Sequence, residues 1–321
     1  MEVIGFGLTD GFLTGDEVDM ILADSLAKLP LDGQRVLVLI PDATRTMPLH
    51  LFFSLLTVRL LGRVRALDFM VALGTHPPLD EEALLRLVGL TPEQKAASYP
   101  NVNLFNHAWK DPQALVTLGT IPADEIARLI PAEIAGVGAQ RLVMDVPVRL
   151  NRRILDYDHL LICGPVFPHE VVGFSGGNKY FFPGIAGSDI IDFTHWLGAL
   201  ITSRRTIGVK DTPMRRVIDR AAAMIPRPRH ALCSVVTTEG IAGLFCGVPE
   251  AAWSAAADLS AQRHIHWCDR PYRRALAVLP RMYDELWVGA KGMYKLEPVI
   301  ADGGELIIYA PHLKRVSAVH G

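Results

Sequence analysis

Several things are missing from this chain of 321 residues, and each absence closes off a class of function. Its four cysteines, Cys163, Cys233, Cys246 and Cys268, form no C-x-x-C pair. That spacing argues against a dithiol or zinc framework and reads as reduced thiols in a cytosolic protein. No apolar run is long enough to span a bilayer: "MPLHLFFSLLTVRLLG" is broken by His50 and Arg59 and suits a packed helix. Glu2, Asp10, Asp16 and Glu17 interrupt the N-terminal region, so no secretory leader is expected there and the expected location is cytoplasmic. The net charge is only −2 and no long basic run occurs, so neither nucleic acid nor a membrane surface is an expected partner. Internal repeats and low-complexity tracts are also missing. Finally, there is no G-x-G-x-x-G, and "GFSGGNK" fails as a Walker loop because Asn178 precedes Lys179 and Tyr180 follows it.

Half of the residues are apolar, enough for a substantial core. Their pattern is that of an α/β protein: a Rossmann-like parallel or mixed sheet with crossover helices. "TGDEVDMILADSLAKL" opens with Thr14 and Glu17 at capping-box spacing and predicts a helix. "RVLVLI" (35–40) is continuously apolar, as a parallel strand buried on both faces requires. Further strands are predicted at "ALDFMVAL" (66–73), "NVNLFNHAW" (101–109) and "DHLLICG" (158–164). The stretch from about 112 to 150 reads as helical, "ADEIARLIPAEIAGVGAQ" most clearly, and an Ala-rich helix is predicted at 251–262. We expect residues 1–270 to form a catalytic, cofactor-binding domain. A new β-α-β start at 271–321 would open a second, smaller α/β domain.

Each predicted strand ends in polar, reactive groups: Asp42, Thr44 and Arg45, then Thr75 and His76, then His107, then His169. Ligands of open α/β sheets collect at the carboxyl ends of the strands, so this regularity also predicts a site. The densest block is "PHEVVGFSGGNKYFFPGIAG" (168–187), followed by His195. Its glycines suit close backbone approach to an anion. Lys179, beside Tyr180, Phe181 and Phe182, is either an ordinary surface lysine or an amine made nucleophilic by desolvation. His107, His169 and His195 are candidates for proton transfer or metal ligation. His50, His159, His230, His264, His266 and His320 are read as surface or satisfied core residues.

The block resembles the signature of the lactate racemase family, the nickel-pincer-nucleotide enzymes: P-H-x-x-x-G-F-S-G-G-x-K, then P-G-I-A, with His195 at the matching distance. "PDATRTMP", "NHAW", "NRRILDYDHLLICG" and "AKGM…ADGGELIIYAP" extend the likeness over most of the chain. The resemblance implies an isomerase, a racemase or epimerase that inverts carbon 2 of a 2-hydroxy acid by reversible hydride transfer. The implied cofactor is nickel held by a pyridinium-3,5-bisthiocarboxylic acid mononucleotide. Lys179 would be its covalent tether, and His195 would complete the nickel coordination beside two sulfurs and one carbon. His107 and His169 would be acid–base residues on opposite faces of the substrate. Asp42, Thr44, Arg45, Gly176 and Gly177 would contact the cofactor, and Lys291 and His76 the substrate. Pro77 stands where lactate-type members carry arginine, which points to a larger or polyhydroxylated acid such as an aldonate. The resemblance further implies that the second domain, at 271–321, is shortened. Implied partners are that acid, transiently the proteins that make the cofactor, and a second copy of the chain in a homo-oligomer. The alternative on the same scaffold is a protein that binds the cofactor or a sugar acid without turnover.

Overall fold

A computed structural model describes residues 2–130, 134 and 142–317. The strands are β1 (Ile4–Gly7), β2 (Arg35–Ile40), β3 (Ala66–Val71), β4 (Leu104–Asn106), β5 (Leu115–Ile121), β6 (Val146–Asn151), β7 (His159–Pro165), β8 (Pro168–His169), β9 (Gly173–Phe174), β10 (Arg229–Val236), β11 (Ile241–Gly247), β12 (Tyr272–Val278) and β13 (Ile300–Tyr309). The helices are α1 (Gly15–Ala27), α2 (Leu49–Leu60), α3 (Glu81–Leu87), α4 (Pro92–Ser98), α5 (Ala123–Leu129), α6 (Ser188–Ile201), α7 (Ser203–Thr206), α8 (Pro213–Ala222), α9 (Pro249–His264), α10 (Leu286–Gly289) and α11 (Lys291–Leu296).

One sheet of seven strands, ordered β1-β11-β10-β7-β2-β3-β4, organises the chain. From β10 to β4 every neighbour is parallel, while β11 and β1 add an antiparallel edge. The parallel strands run outward in both directions from the β2–β7 pair. The order therefore reverses there, and a crevice opens at the carboxyl ends of those two strands.

The continuous apolar runs are explained by a core on each face. In β2 the period of two sends Val36, Val38 and Ile40 into one core with Leu22, Phe52 and Leu56, from α1 and α2. Leu37 and Leu39 enter the other, with Ile191, Leu197, Ile218 and Ala256 from α6, α8 and α9. At α1 the predicted capping box is present: the Thr14 hydroxyl accepts from the Glu17 amide, and the Glu17 carboxylate accepts from the Thr14 amide. Such a cap contributes about 1 kcal/mol.

Two regions differ from the sequence reading. The stretch around 112–150 is not mainly helical, because β5 and β6 pair as an antiparallel ribbon. Helix α5 covers Ala123–Leu129, and the rest of the predicted helix falls largely on 131–133 and 135–141, outside the described residues, as does His320. The ribbon follows from β-branched Val116, Thr117, Thr120 and Ile121 facing a strand whose alternate residues Val146, Val148 and Leu150 are buried. The second difference is the β10–β11 hairpin, unanticipated in the sequence, which puts β10 directly beside β7.

After residue 270 the chain forms a separate parallel pair, β12–β13, with α10 and α11 between its strands. No described helix is long and apolar enough to cross a membrane.

Candidate functional site

A cavity of about 660 Å³ opens at the β2–β7 reversal, within the range of cofactor and substrate pockets. Its walls come from the ends of β2, β3 and β7, from the glycine segment, from α6 and, across the opening, from α10 and α11. Of the residues predicted from sequence, it brings together Asp42, Arg45, His76, His169, Gly176, Lys179, His195 and Lys291. Thr44, His107 and Gly177 are not among its lining residues.

The loop after β2 is built around Asp42. Its Oδ1 accepts from the Thr44 amide at 3.0 Å and the Thr44 hydroxyl at 2.5 Å, and its Oδ2 binds His76 Nδ1. Burial alone would raise the Asp42 carboxyl. The His76 hydrogen bond, the Arg45 charge and Thr44 outweigh it and hold the group well below the usual carboxylate range. Arg45 Nη1 donates to Thr44 Oγ1 at 2.6 Å, and the guanidinium lies over the Phe167 ring at 5.7 Å. Thr44 thus orients Arg45 from behind the wall.

Lys179 sits in a single turn, Gly177–Tyr180, entered through Gly176 and Gly177 at φ +79° and +58°. A side chain at Gly176 would meet Val166 and the Pro165 carbonyl, and one at Gly177 would meet Trp253. These glycines are therefore required by the turn itself and by packing against the protein's own residues, whatever lies in the cavity. Behind the turn, Arg215 donates to the carbonyls of Phe174 (2.5 Å) and Gly176 (3.2 Å), and Trp253 Nε1 to that of Ser175 (2.8 Å). Asn178 is anchored by Asp219 and Glu250 on its amide nitrogen and by Arg229 on its oxygen. The Lys179 amine itself makes no hydrogen bond or ion pair among the described residues. Burial, then the charges of Arg45 and Lys291, lower its pKa to about 7 against the opposing Glu170. It is an amine that is substantially unprotonated near neutral pH.

His195 projects from α6 on the stripe that also carries Ile191 and Gly198 into the cavity. Its Nδ1–H donates to the Ile191 carbonyl at 2.7 Å, which leaves the Nε2 lone pair available. His169 is 6% exposed, and its Nδ1 accepts the Val171 N–H at 3.1 Å. Burial, reinforced by Lys179, Lys291 and Arg45 against the neighbouring Glu170, pushes its pKa well below the usual histidine value. Lys291, at the start of α11, is ion-paired with Glu170.

His107 is placed differently. The Asn151 oxygen accepts from the Arg153 amide, so its amide nitrogen faces His107 Nδ1 at 3.1 Å. The ring therefore carries its proton on Nε2 and donates it to the Ala186 carbonyl at 2.9 Å. Burial lowers its pKa to about 4. In this structure His107 is a buried histidine with both nitrogens engaged.

Sequence reasoning missed Glu170, Arg215 and Trp253. It also missed Ser175, Thr194, Thr202 and Ser203 around the cavity, where Thr75, expected from its place at a strand end, is found as well. The signal for Glu170 was adjacency to His169. Arg215 and Trp253 come from distant segments and leave no local pattern, while Ser175 and Thr194 lie in or beside the glycine–lysine–histidine block without a signal of their own.

A family model described as the lactate racemase N-terminal domain matches residues 18–130 and 131–208. The lactate racemase of Lactiplantibacillus plantarum is 26% identical over 305 residues, which take in 90% of this chain and 62% of that protein. This chain thus spans about three-fifths of the length of that curated relative. A solved structure of a protein from Thermotoga maritima superposes with a TM-score of 0.83 at 32% identity, covering 95% of this chain and 73% of the other. The lactate racemase apoprotein from Thermoanaerobacterium thermosaccharolyticum gives a TM-score of 0.68 at 19% identity, covering 96% and 69%, a likeness of fold.

Proposed function

Because the chain belongs to the lactate racemase N-terminal domain family, we propose that it is a racemase or epimerase acting on carbon 2 of a 2-hydroxy acid with a lysine-tethered nickel-pincer nucleotide. The observation that carries this reading is the Lys179 amine: buried surroundings, a pKa near 7, and an open position on the same cavity as the free Nε2 of His195.

The residues present fit such a cofactor. Lys179 is a ready nucleophile for covalent attachment, and Arg45 is a cation suited to a phosphate. Asp42, with both oxygens engaged, and Thr44 act by holding Arg45 and His76 in place. Among the described residues no group of three potential ligands could hold a metal. A nickel ion at His195 would accordingly draw its other donors from the cofactor. When bound, the cofactor supplies a hydride acceptor, which avoids forming a carbanion at an unactivated C–H bond.

The chain's own residues bind, orient and handle protons. Lys291 reaches the cavity from α11 and suits the substrate carboxylate. His169 faces the space where the substrate hydroxyl would lie and exchanges its proton. His107 takes the same role on the opposite face once the Ala186 carbonyl releases its Nε2–H. The segment that holds it, Pro183–Ala186, lines the cavity at Pro183 and Gly184. The hydroxyls of Thr75, Thr202 and Ser203 on the walls support a polyhydroxylated acid, those of Ser175 and Thr194 being spent on backbone carbonyls, and His76 is placed to meet its distal end. Trp287, Val288 and Tyr294 cover the opening and limit water. We place the boundary of the second domain at 271, one residue before β12.

Protein made in a host that synthesises the cofactor is expected to carry nickel and an added mass on the peptide containing Lys179, and to epimerise at least one acid in a panel of aldonates and simple 2-hydroxy acids. Nickel-free, unmodified protein that inverts none of them would overturn the reading.

A further inference from the structure

Glu170 is the residue the sequence reading passed over, and it connects two of the groups that reading used. One oxygen, Oε1, is bound by Lys291 Nζ, and the other, Oε2, stands 3.7 Å from His169 Nδ1. The carboxylate is 12% exposed and lines the cavity beside both partners.

The proton inventory of His169 gives this link a consequence. Its Nδ1 accepts the Val171 N–H, so the neutral ring carries its proton on Nε2. In that form Nε2 is a donor and cannot take a proton from a hydroxyl. To accept one there, the ring must first hold its hydrogen on Nδ1, and that hydrogen needs an acceptor. Val171 offers only a donor. Glu170 Oε2 is the carboxylate oxygen within reach, and its charge is shared with Lys291.

We infer that Glu170 is a positioning residue which sets His169 in its proton-accepting form, and that it does so when Lys291 leaves it for an incoming carboxylate. The exchange keeps the ammonium paired, one carboxylate replacing another. Glu170 is then released to accept from His169 Nδ1–H, as a carboxylate orients a catalytic imidazole elsewhere. The ring hydrogen moves from Nε2 to Nδ1 by exchange with solvent, with no net gain or loss. The Nε2 lone pair then takes the substrate's hydroxyl proton, and the resulting imidazolium faces the Glu170 charge. The substrate's carboxylate is thus needed to prepare the base as well as to be bound. An ester or amide of the same acid would leave His169 a donor.

This inference rests on the reading of His169 as a proton-transferring residue, but its test needs no turnover. The charged groups facing the pair are Arg45 from the β2 loop, Lys179 from the glycine turn, His195 from α6, and Lys291 and Lys295 from α11. In histidine labelled with nitrogen-15, long-range proton–nitrogen correlations distinguish the two ring forms. The His169 signals are identified by their loss in His169→Asn. The wild-type chain should show the Nε2–H form. Lys291→Met, or Lys291→Gln as a second variant, should convert His169 to the Nδ1–H form and raise its titration midpoint by about one pH unit or more. Adding Glu170→Gln to either should restore the Nε2–H form. If His169 keeps the Nε2–H form and its wild-type midpoint in both Lys291 variants, or the Nδ1–H form persists without Glu170, the inference is overturned. A chain that shows the switch yet inverts no acid would leave the inference standing and overturn the proposed function instead.

Discussion

Arg215 lies over Trp253, with its guanidinium carbon 4.0 Å from the ring centroid, and both side chains hydrogen-bond consecutive carbonyls of the same loop. Phe174, Ser175 and Gly176 are thereby held from one side, and the turn that presents Lys179 is built on them. Arg215 is 3% exposed, and burial lowers its pKa to about 10, so it remains charged at neutral pH. Arg215→Met should strand the buried Phe174 carbonyl, while that of Gly176 keeps the Lys179 N–H, and cost about 1–3 kcal/mol for the lost partner. Urea denaturation should show the loss, and labelling of Lys179 should slow as the turn loosens.

The lowered pKa of Lys179 has a sign that can be measured. Its folded value, about 7, lies below the unfolded value, so between the two the unfolded chain binds more protons. Stability contributed by this group is therefore least below about pH 7 and rises as pH climbs toward the ordinary lysine range. Denaturation of wild type and Lys179→Met across pH 6 to about 10 should show wild type gaining relative to the variant. A parallel pair of curves would contradict the assignment.

His195 holds itself through Nδ1 and leaves Nε2 for the nickel of the proposed cofactor. His195→Ala is expected to lose most of the bound nickel while the mass attached at Lys179 remains, read by elemental analysis and peptide mass. Lys179→Ala is expected to lose both.

The two remaining histidines should separate function from packing. His169→Ala should abolish inversion, a loss of about 10²–10⁴-fold for removing an acid–base group, while nickel is retained. His107→Ala should lose activity to a similar extent. It should also lose about 1–3 kcal/mol of stability, because Asn151 and the Ala186 carbonyl are left without their partner.

What could be read from the sequence was what short-range spacing encodes. The run at 35–40, the Thr14–Glu17 cap and the glycine–lysine–histidine block each carry their reason within a few residues. The β5–β6 ribbon was misread because Val146, Val148 and Leu150 declare a strand only against a partner some 30 residues earlier. The β10–β11 hairpin was missed because Ala231, Ser234 and Gly243 dilute the usual β-branched signature. The clamp of Arg215 and Trp253 was invisible for a similar reason: it closes over 40 to 80 residues of sequence. His107 shows the converse, a residue conspicuous by position whose neighbours hold both its nitrogens.

The depressed proton affinity of Lys179 is assembled from three remote stretches of chain, since Arg45, Lys291 and Arg215 each add to the effect of burial. None of these charges is near Lys179 in an extended polypeptide. A nascent or partly folded chain therefore displays a lysine like any other, protonated and unreactive at neutral pH. Only after the sheet has formed and α11 has come across the opening does this amine stand out from the other lysines. On the proposed reading, attachment at Lys179 would therefore follow folding, since a chain that folds incorrectly presents no distinctive amine.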